Sequence, residues 1–155
     1  MSEWIDLATG DFKDQIKVMQ AQFAAKSISV SKGVEQAVLD TITNIELTAK
    51  EKMDNAVVDM NKSIKRGDGR YHHPSVPGSA PAVDSGTMKN SITHELHISG
   101  DSVSGTVGST ITNPPYPSYL ETGTSKMAER PWLLPSVREN ADFFESAMYK
   151  AVKNG

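Results

Sequence analysis

The sequence predicts an α+β fold, and three observations carry that prediction. All eight prolines fall between Pro74 and Pro135, which leaves both ends of the chain free of the strongest helix breaker. Apolar residues recur at helical spacing on either side of that central region. Within it, residues 92–107 alternate apolar and polar, the period of a strand with one covered face.

The elements follow in order. Residues 10–25 place Phe12, Ile16, Met19 and Phe23 at helical spacing, with Thr9 or Asp11 as cap, and predict a first helix. A Ser-rich break, Ser27-Ile-Ser-Val-Ser31, follows. From Val34 to Ile64, the residues Val34, Val38, Ile42, Ile45, Ala49, Met53, Ala56, Met60 and Ile64 share one helical face. Lys65-Arg66-Gly67 reads as the end of that long helix. At ~1.5 Å per residue it would span about 45–50 Å. That exceeds what a core of this size covers, so part of the helix is expected to pack on a second copy or another protein.

Residues 67–90 are rich in Gly, Pro and Ser and read as an extended loop. Ile92, His94, Leu96 and Ile98 then point one way and Thr93, Glu95 and His97 the other. Ser99-Gly100-Asp101 turns the chain, and Val103, Gly105 and Val107 continue on a second strand, giving a β-hairpin over 91–109. After Asn113-Pro-Pro-Tyr-Pro, the segment Ser118-Tyr-Leu-Glu121 is expected to be an edge strand. Pro135 suits the first turn of a closing helix whose apolar face is Val137, Ala141, Phe144, Met148 and Ala151. The expected organisation is a single domain over 1–155. It has a helical part (1–66), an extended loop (67–90), and a small antiparallel sheet with a C-terminal helix packed on it (91–155).

Composition excludes several function classes. With no cysteine, the chain makes no disulfide, thiolate metal site or cysteine nucleophile. The net charge is −3, with 10 basic and 11 acidic residues in 1–70 and 6 and 8 in 71–155. Neither half is basic, so the footprint of a protein that grips nucleic acid is missing. No apolar run exceeds three residues, against the ~20 of a spanning helix. Met1-Ser-Glu-Trp-Ile-Asp lacks the basic-then-apolar pattern of a leader, so synthesis and retention in a cytosol are expected.

Candidate chemistry is sparse. His94-Glu-Leu-His97 is one residue short of H-E-x-x-H, and on a strand residues 94 and 97 face opposite sides. It reads as an ordinary strand. His72-His73 reads as a solvated turn. Ser29-Val-Ser-Lys32 has S-x-x-K spacing without the S-D-N and K-T-G partners. No Walker loop, G-x-S-x-G or G-x-G-x-x-G is present, and the carboxylates are spread among lysines as solvated faces. No catalytic residue, metal or cofactor is expected.

Two segments are more particular. The first is Pro77-Gly78 … Pro81-Ala-Val-Asp84-Ser-Gly86-Thr-Met-Lys-Asn-Ser91-Ile92. The second is Tyr116-Pro-Ser-Tyr119-Leu-Glu121-Thr-Gly123-Thr124, followed by Arg130-Pro131-Trp132-Leu-Leu-Pro135. Together they resemble the neck or tail-completion family of long-tailed bacteriophages, which includes the minor tail proteins of the lambda Z type. The resemblance covers about 74–150. It departs from the family pattern at Ser85 (for Thr), Met88 (for Leu) and Trp132 (for Phe), each close in size or chemistry.

In physical terms these residues are structural. Gly86 and Gly123 suit positive φ or a close backbone approach. Tyr119 and Trp132 are large amphipathic anchors, and Arg130-Pro131 sets the start of the last helix. Glu121 and Arg130, opposite in charge, are expected to pair within their loop or across a subunit boundary.

The resemblance implies a non-enzymatic virion protein at the head–tail junction, made in the host cytoplasm. It would form a homo-oligomeric ring abutting head-completion or connector proteins and the tail terminator or tail tube. DNA would pass through the lumen without specific binding, and no membrane would be involved. The loop 67–90 and segment 113–131 are the expected contacts, with Gly86, Ser91, Tyr116, Tyr119, Glu121, Gly123, Thr124, Arg130, Pro131 and Trp132 as structural or interface residues. The alternatives are a tail terminator or head-closure ring, a small metal-dependent hydrolase using His72, His73, His94 and His97, and a cytosolic helical adaptor.

Overall fold

A computed structural model describes residues 17–22 and 28–154. The fold is α+β. Strand β1 (Lys17–Gln22) is followed by helix α1 (Ile28–Asp54), then by the short strands β2 (Ile64–Lys65) and β3 (Tyr71–His72). Helix α2 (Thr87–Ser91) leads into the hairpin β4 (Ile92–Ser99) and β5 (Ser102–Ser109). Helices α3 (Tyr116–Thr122), α4 (Leu134–Glu139) and α5 (Ala141–Asn154) complete the chain. The main sheet has the antiparallel order β1-β5-β4, and β2 and β3 form a separate ribbon.

The centre of the structure is α1. Val34, Ala37, Val38, Thr41, Ile42, Ile45, Ala49 and Met53 are buried along it, as the helical spacing requires. One side of the helix meets Ile92, Val103 and Val107 of the hairpin, and α4 and α5 pack along it through Val137, Phe144 and Met148. Gly105 makes the sheet contact possible, because a Cβ there would lie 2.4 Å from Ile42 Cγ2 and 3.1 Å from Val38 Cγ1. The hairpin forms as expected, its strands paired without interruption from Ile92↔Ser109 to Ser99↔Ser102.

Several expectations are corrected. Residues 17–22 form a strand on the edge of β5, with Met19 opposite Gly105, rather than part of a helix over 10–25. The open edge of β5 satisfies that backbone in a way that four spaced apolar residues cannot outweigh. Phe12, Ile16 and Phe23 lie outside the described residues. The Ser-rich break is helical from Ile28, so α1 begins earlier than expected.

The long helix also ends sooner, at Asp54 rather than near Ile64. Asn55 Nδ2 donates to Glu51 O at 3.0 Å, a side-chain bond that competes with helix continuation. Beyond it, Val57 O accepts from the amide of Val76 at 2.9 Å, and the amide of Asp59 donates to Pro74 O at 2.8 Å. The backbone of 57–59 is thus paired across a ribbon, and Met60 and Ile64 are exposed. At 27 residues, α1 is about 40 Å long and has no large overhang.

The expected extended loop 67–90 carries β3 and α2, and Ser75 bridges to Val58. The expected strand over 118–121 is helix α3. Pro117 occupies its first turn, where the missing N–H would have no partner in any case, and Ser118 Oγ donates to Pro115 O at 2.8 Å. The closing helix is broken at Asn140, whose Nδ2 donates to Ser136 O at 2.8 Å and to Thr48 Oγ1 at 3.1 Å. Ala141 is consequently exposed, not part of the apolar face.

Candidate functional site

The two motif-bearing segments meet. Residues 81–89 form one wall of a cleft of about 450 Å³, and Tyr116, Leu120, Met127 and Arg130 form the other. Met53 from the end of α1 contributes to the lining, as do Ile64 and His72 from the β2–β3 ribbon. The lining is apolar at Met53, Met88, Leu120 and Met127, and unbranched methionines adapt to an inserted side chain. Partial burial holds the Tyr116 phenol above its ordinary value.

The first wall depends on Gly86, which has φ +82° immediately before α2. Lys89 Nζ reaches Asp54 at 2.6 Å and ties α2 to the end of α1. Ser91 is buried and joins α2 to β5: its Oγ donates to Met88 O at 2.6 Å and lies 2.7 Å from Ser109 Oγ.

The second wall is organised by Glu121, which is 8% exposed. Its Oε2 accepts from the amides of Trp132 at 2.7 Å and Leu133 at 2.9 Å, and its Oε1 from that of Leu134 at 2.8 Å. These amides open α4 and have no partner within the helix, so the carboxylate caps it from α3. Within the chain, therefore, Glu121 does not pair with Arg130. Three converging amides satisfy a buried carboxylate without bringing a second charge out of water. Arg130 instead donates from Nε to Ser75 O and from a terminal guanidinium nitrogen to Ala128 O, each at 3.1 Å.

Trp132 is the anchor expected of it, 3% exposed with Nε1 donating to Pro117 O at 3.1 Å. Tyr119 is not an anchor in this chain: it is 46% exposed on the outer side of α3. Gly123 has φ +73°, and a Cβ there would lie 2.9 Å from both Glu129 N and Met127 O, so backbone blocks any side chain. Thr124 bridges back to Met127, closing the turn, and Pro131 is half-buried beside Trp132.

The four histidines of the hydrolase alternative are dispersed. His72 lies 3.7 Å from Asp84, His73 Nδ1 is 2.7 Å from Lys62 O, and His97 is 3.4 Å from Glu95. His94 Nδ1 is 2.6 Å from Glu46 Oε2, joining β4 to α1. Among the described residues, no three His, Asp or Glu side chains converge on a point where a metal would sit. Ser85 and Thr87, two of the hydroxyl-bearing residues that line the cleft, bond to each other at 2.8 Å. No described helix is long and apolar enough to cross a membrane.

The Glu46–His94 contact escaped sequence reading because 48 residues separate the partners. The only signal for the Glu121 cap was a carboxylate a short distance before a helix opened by proline. Comparison of the chain with known protein families, with curated proteins and with solved structures finds no match.

Proposed function

We propose that this chain is a structural virion protein of a tailed phage. It acts at the head–tail junction, as a ring that completes the neck or tail end and lets heads and tails join. The observation that carries the proposal is the convergence of the two segments that resemble the neck and tail-completion family. With 23 residues between them in sequence, they form opposite walls of one cleft, and the Glu121 cap orders the second. Motif residues spent on building a shaped surface suit an assembly protein better than a catalyst.

The ring's contacts are this cleft and the exposed ribbon beside it, where Val57, Met60, Ile64 and Tyr71 present apolar side chains. Partners are further copies of the chain, the connector or head-completion protein, and the tail terminator or tube. A net charge of −3 suits a lumen through which DNA slides rather than sticks.

The test is electron microscopy of lysates from a phage carrying a stop codon early in this gene. Separate DNA-filled heads and tails, rescued by added purified protein, are the expected result. Abnormally long tails would assign the terminator role instead, and normal virions at normal titre would overturn a role in morphogenesis.

A further inference from the structure

Among the described residues, nothing covers the outer edge of β4. Eight residues long, β4 pairs with β5 on one side only, and no described backbone or side-chain group bonds to its other side. Sheet edges are usually blunted by lysine, proline or a bulge. Ile92-Thr-His-Glu-Leu-His-Ile-Ser99 contains neither residue, and its register with β5 is unbroken.

The geometry fixes which groups are offered. Ser99 and Ser102 flank a two-residue turn and so form a hydrogen-bonded pair, and the amide of Thr110 donates to Ser91 O at 3.0 Å. Odd-numbered residues of β4 therefore direct their backbone groups to β5. His94, Leu96 and Ile98 direct theirs to the open edge. An antiparallel partner strand must match this parity.

We propose that the free chain pairs through this edge with β4 of a second copy, in the two-fold register that sets Leu96 opposite Leu96 of the other copy. In that register His94 faces Ile98 of the other copy through backbone hydrogen bonds. Glu95 faces His97, and His97 faces Glu95, at the intervening sites where side chains approach most closely. The strand is thus complementary to itself in hydrogen bonding, because a ring N–H of His97 faces the acceptor carboxylate of Glu95 at both sites. Shifting the register by one step of the same parity sets Glu95 against Glu95 or His97 against His97. Ile98, 54% exposed on the helix-side face, is covered by the added strand. A two-fold contact cannot close a ring, so this surface is additional to the ring contacts and does not rest on them.

The chain contains no cysteine, so introduced thiols report only themselves. Differently tagged Glu95→Cys and His97→Cys chains are mixed and oxidised. At the paired site their Cα atoms would lie ~4.5 Å apart, within disulfide range, whereas each variant alone leaves its cysteines on the ~7–8 Å diagonal. A cross-linked heterodimer from the mixture, with little from either variant alone, is expected. Light scattering of the unmodified chain should give twice 16.8 kDa, and Ile98→Pro, which removes one outward amide, should give 16.8 kDa with an unchanged circular-dichroism spectrum. A monomeric unmodified chain, or a dimer whose mixture links no better than the single variants, overturns the proposal.

Discussion

Glu121 and Trp132 are joined by a 2.7 Å hydrogen bond from the tryptophan amide to the buried carboxylate, which takes the amides of Leu133 and Leu134 as well. One side chain of α3 thus sets the start of α4. Replacing it leaves buried donors without acceptors, a larger loss than that of an exposed ion pair. Glu121→Gln should lower unfolding stability by about 1–3 kcal/mol, read from the urea midpoint at unchanged slope. An unchanged midpoint would remove Glu121 from the framework of the cleft.

Trp132→Phe supplies the residue usual in the resembling family. It keeps most of the buried ring and loses the Nε1 bond to Pro117 O. A cost of about 1 kcal/mol is expected, against roughly 3–5 for Trp132→Ala. Chemical denaturation of the two variants side by side checks the ratio.

Partial burial pushes the Glu46 carboxyl upward, and hydrogen bonds from Lys50 and His94 more than reverse this, holding it below its ordinary 4.5. A carboxyl depressed in the folded chain contributes stability above its unfolded value. That contribution disappears as pH falls through 4.5 toward the folded value. Unfolding followed from neutral to acid pH should show this loss, and Glu46→Gln should flatten that part of the profile.

Gly105→Ala places a methyl against Ile42 and Val38 on the face where α1 meets the sheet. The helix and hairpin must separate or the isoleucine must leave its rotamer, at about 1–3 kcal/mol. A melting curve for Gly105→Ala lying on that of the unmodified chain would show that the contact yields freely.

Tyr119 is exposed and carries no fold contact comparable to that of Trp132. Tyr119→Ser should shift stability by no more than about 0.5 kcal/mol. Under the proposed function it should nevertheless reduce rescue of stop-mutant particles in vitro. Full rescue would place α3 outside the assembly surface.

Legibility in the sequence followed the reach of the signal. The hairpin was readable because alternation and a Gly-Asp turn are local, and the core face of α1 because burial repeats every turn. Gly86 and Gly123 announced their positive φ values by residue type. The start and end of α1 were not readable. The apolar period runs on through Met60 and Ile64, but Pro74 and Val76 capture the backbone that would have continued the helix. Helix α3 was misread because a proline cluster suits a strand edge and a first helical turn equally well.

The sequence by itself determined the α+β class, the sheet hairpin, the residues of α1 that face the core and the positions reserved for glycine. Each is written in spacing or in the steric limits of one residue. Only the tertiary structure decided that Glu121 caps α4 rather than pairing with Arg130, that His94 meets Glu46, and that residues 81–89 face 116–130 across a cleft. The reason is that a buried polar group takes whichever partner the packed chain brings within about 3 Å. That choice depends on how α1, the hairpin and the ribbon stack, and no local pattern encodes it.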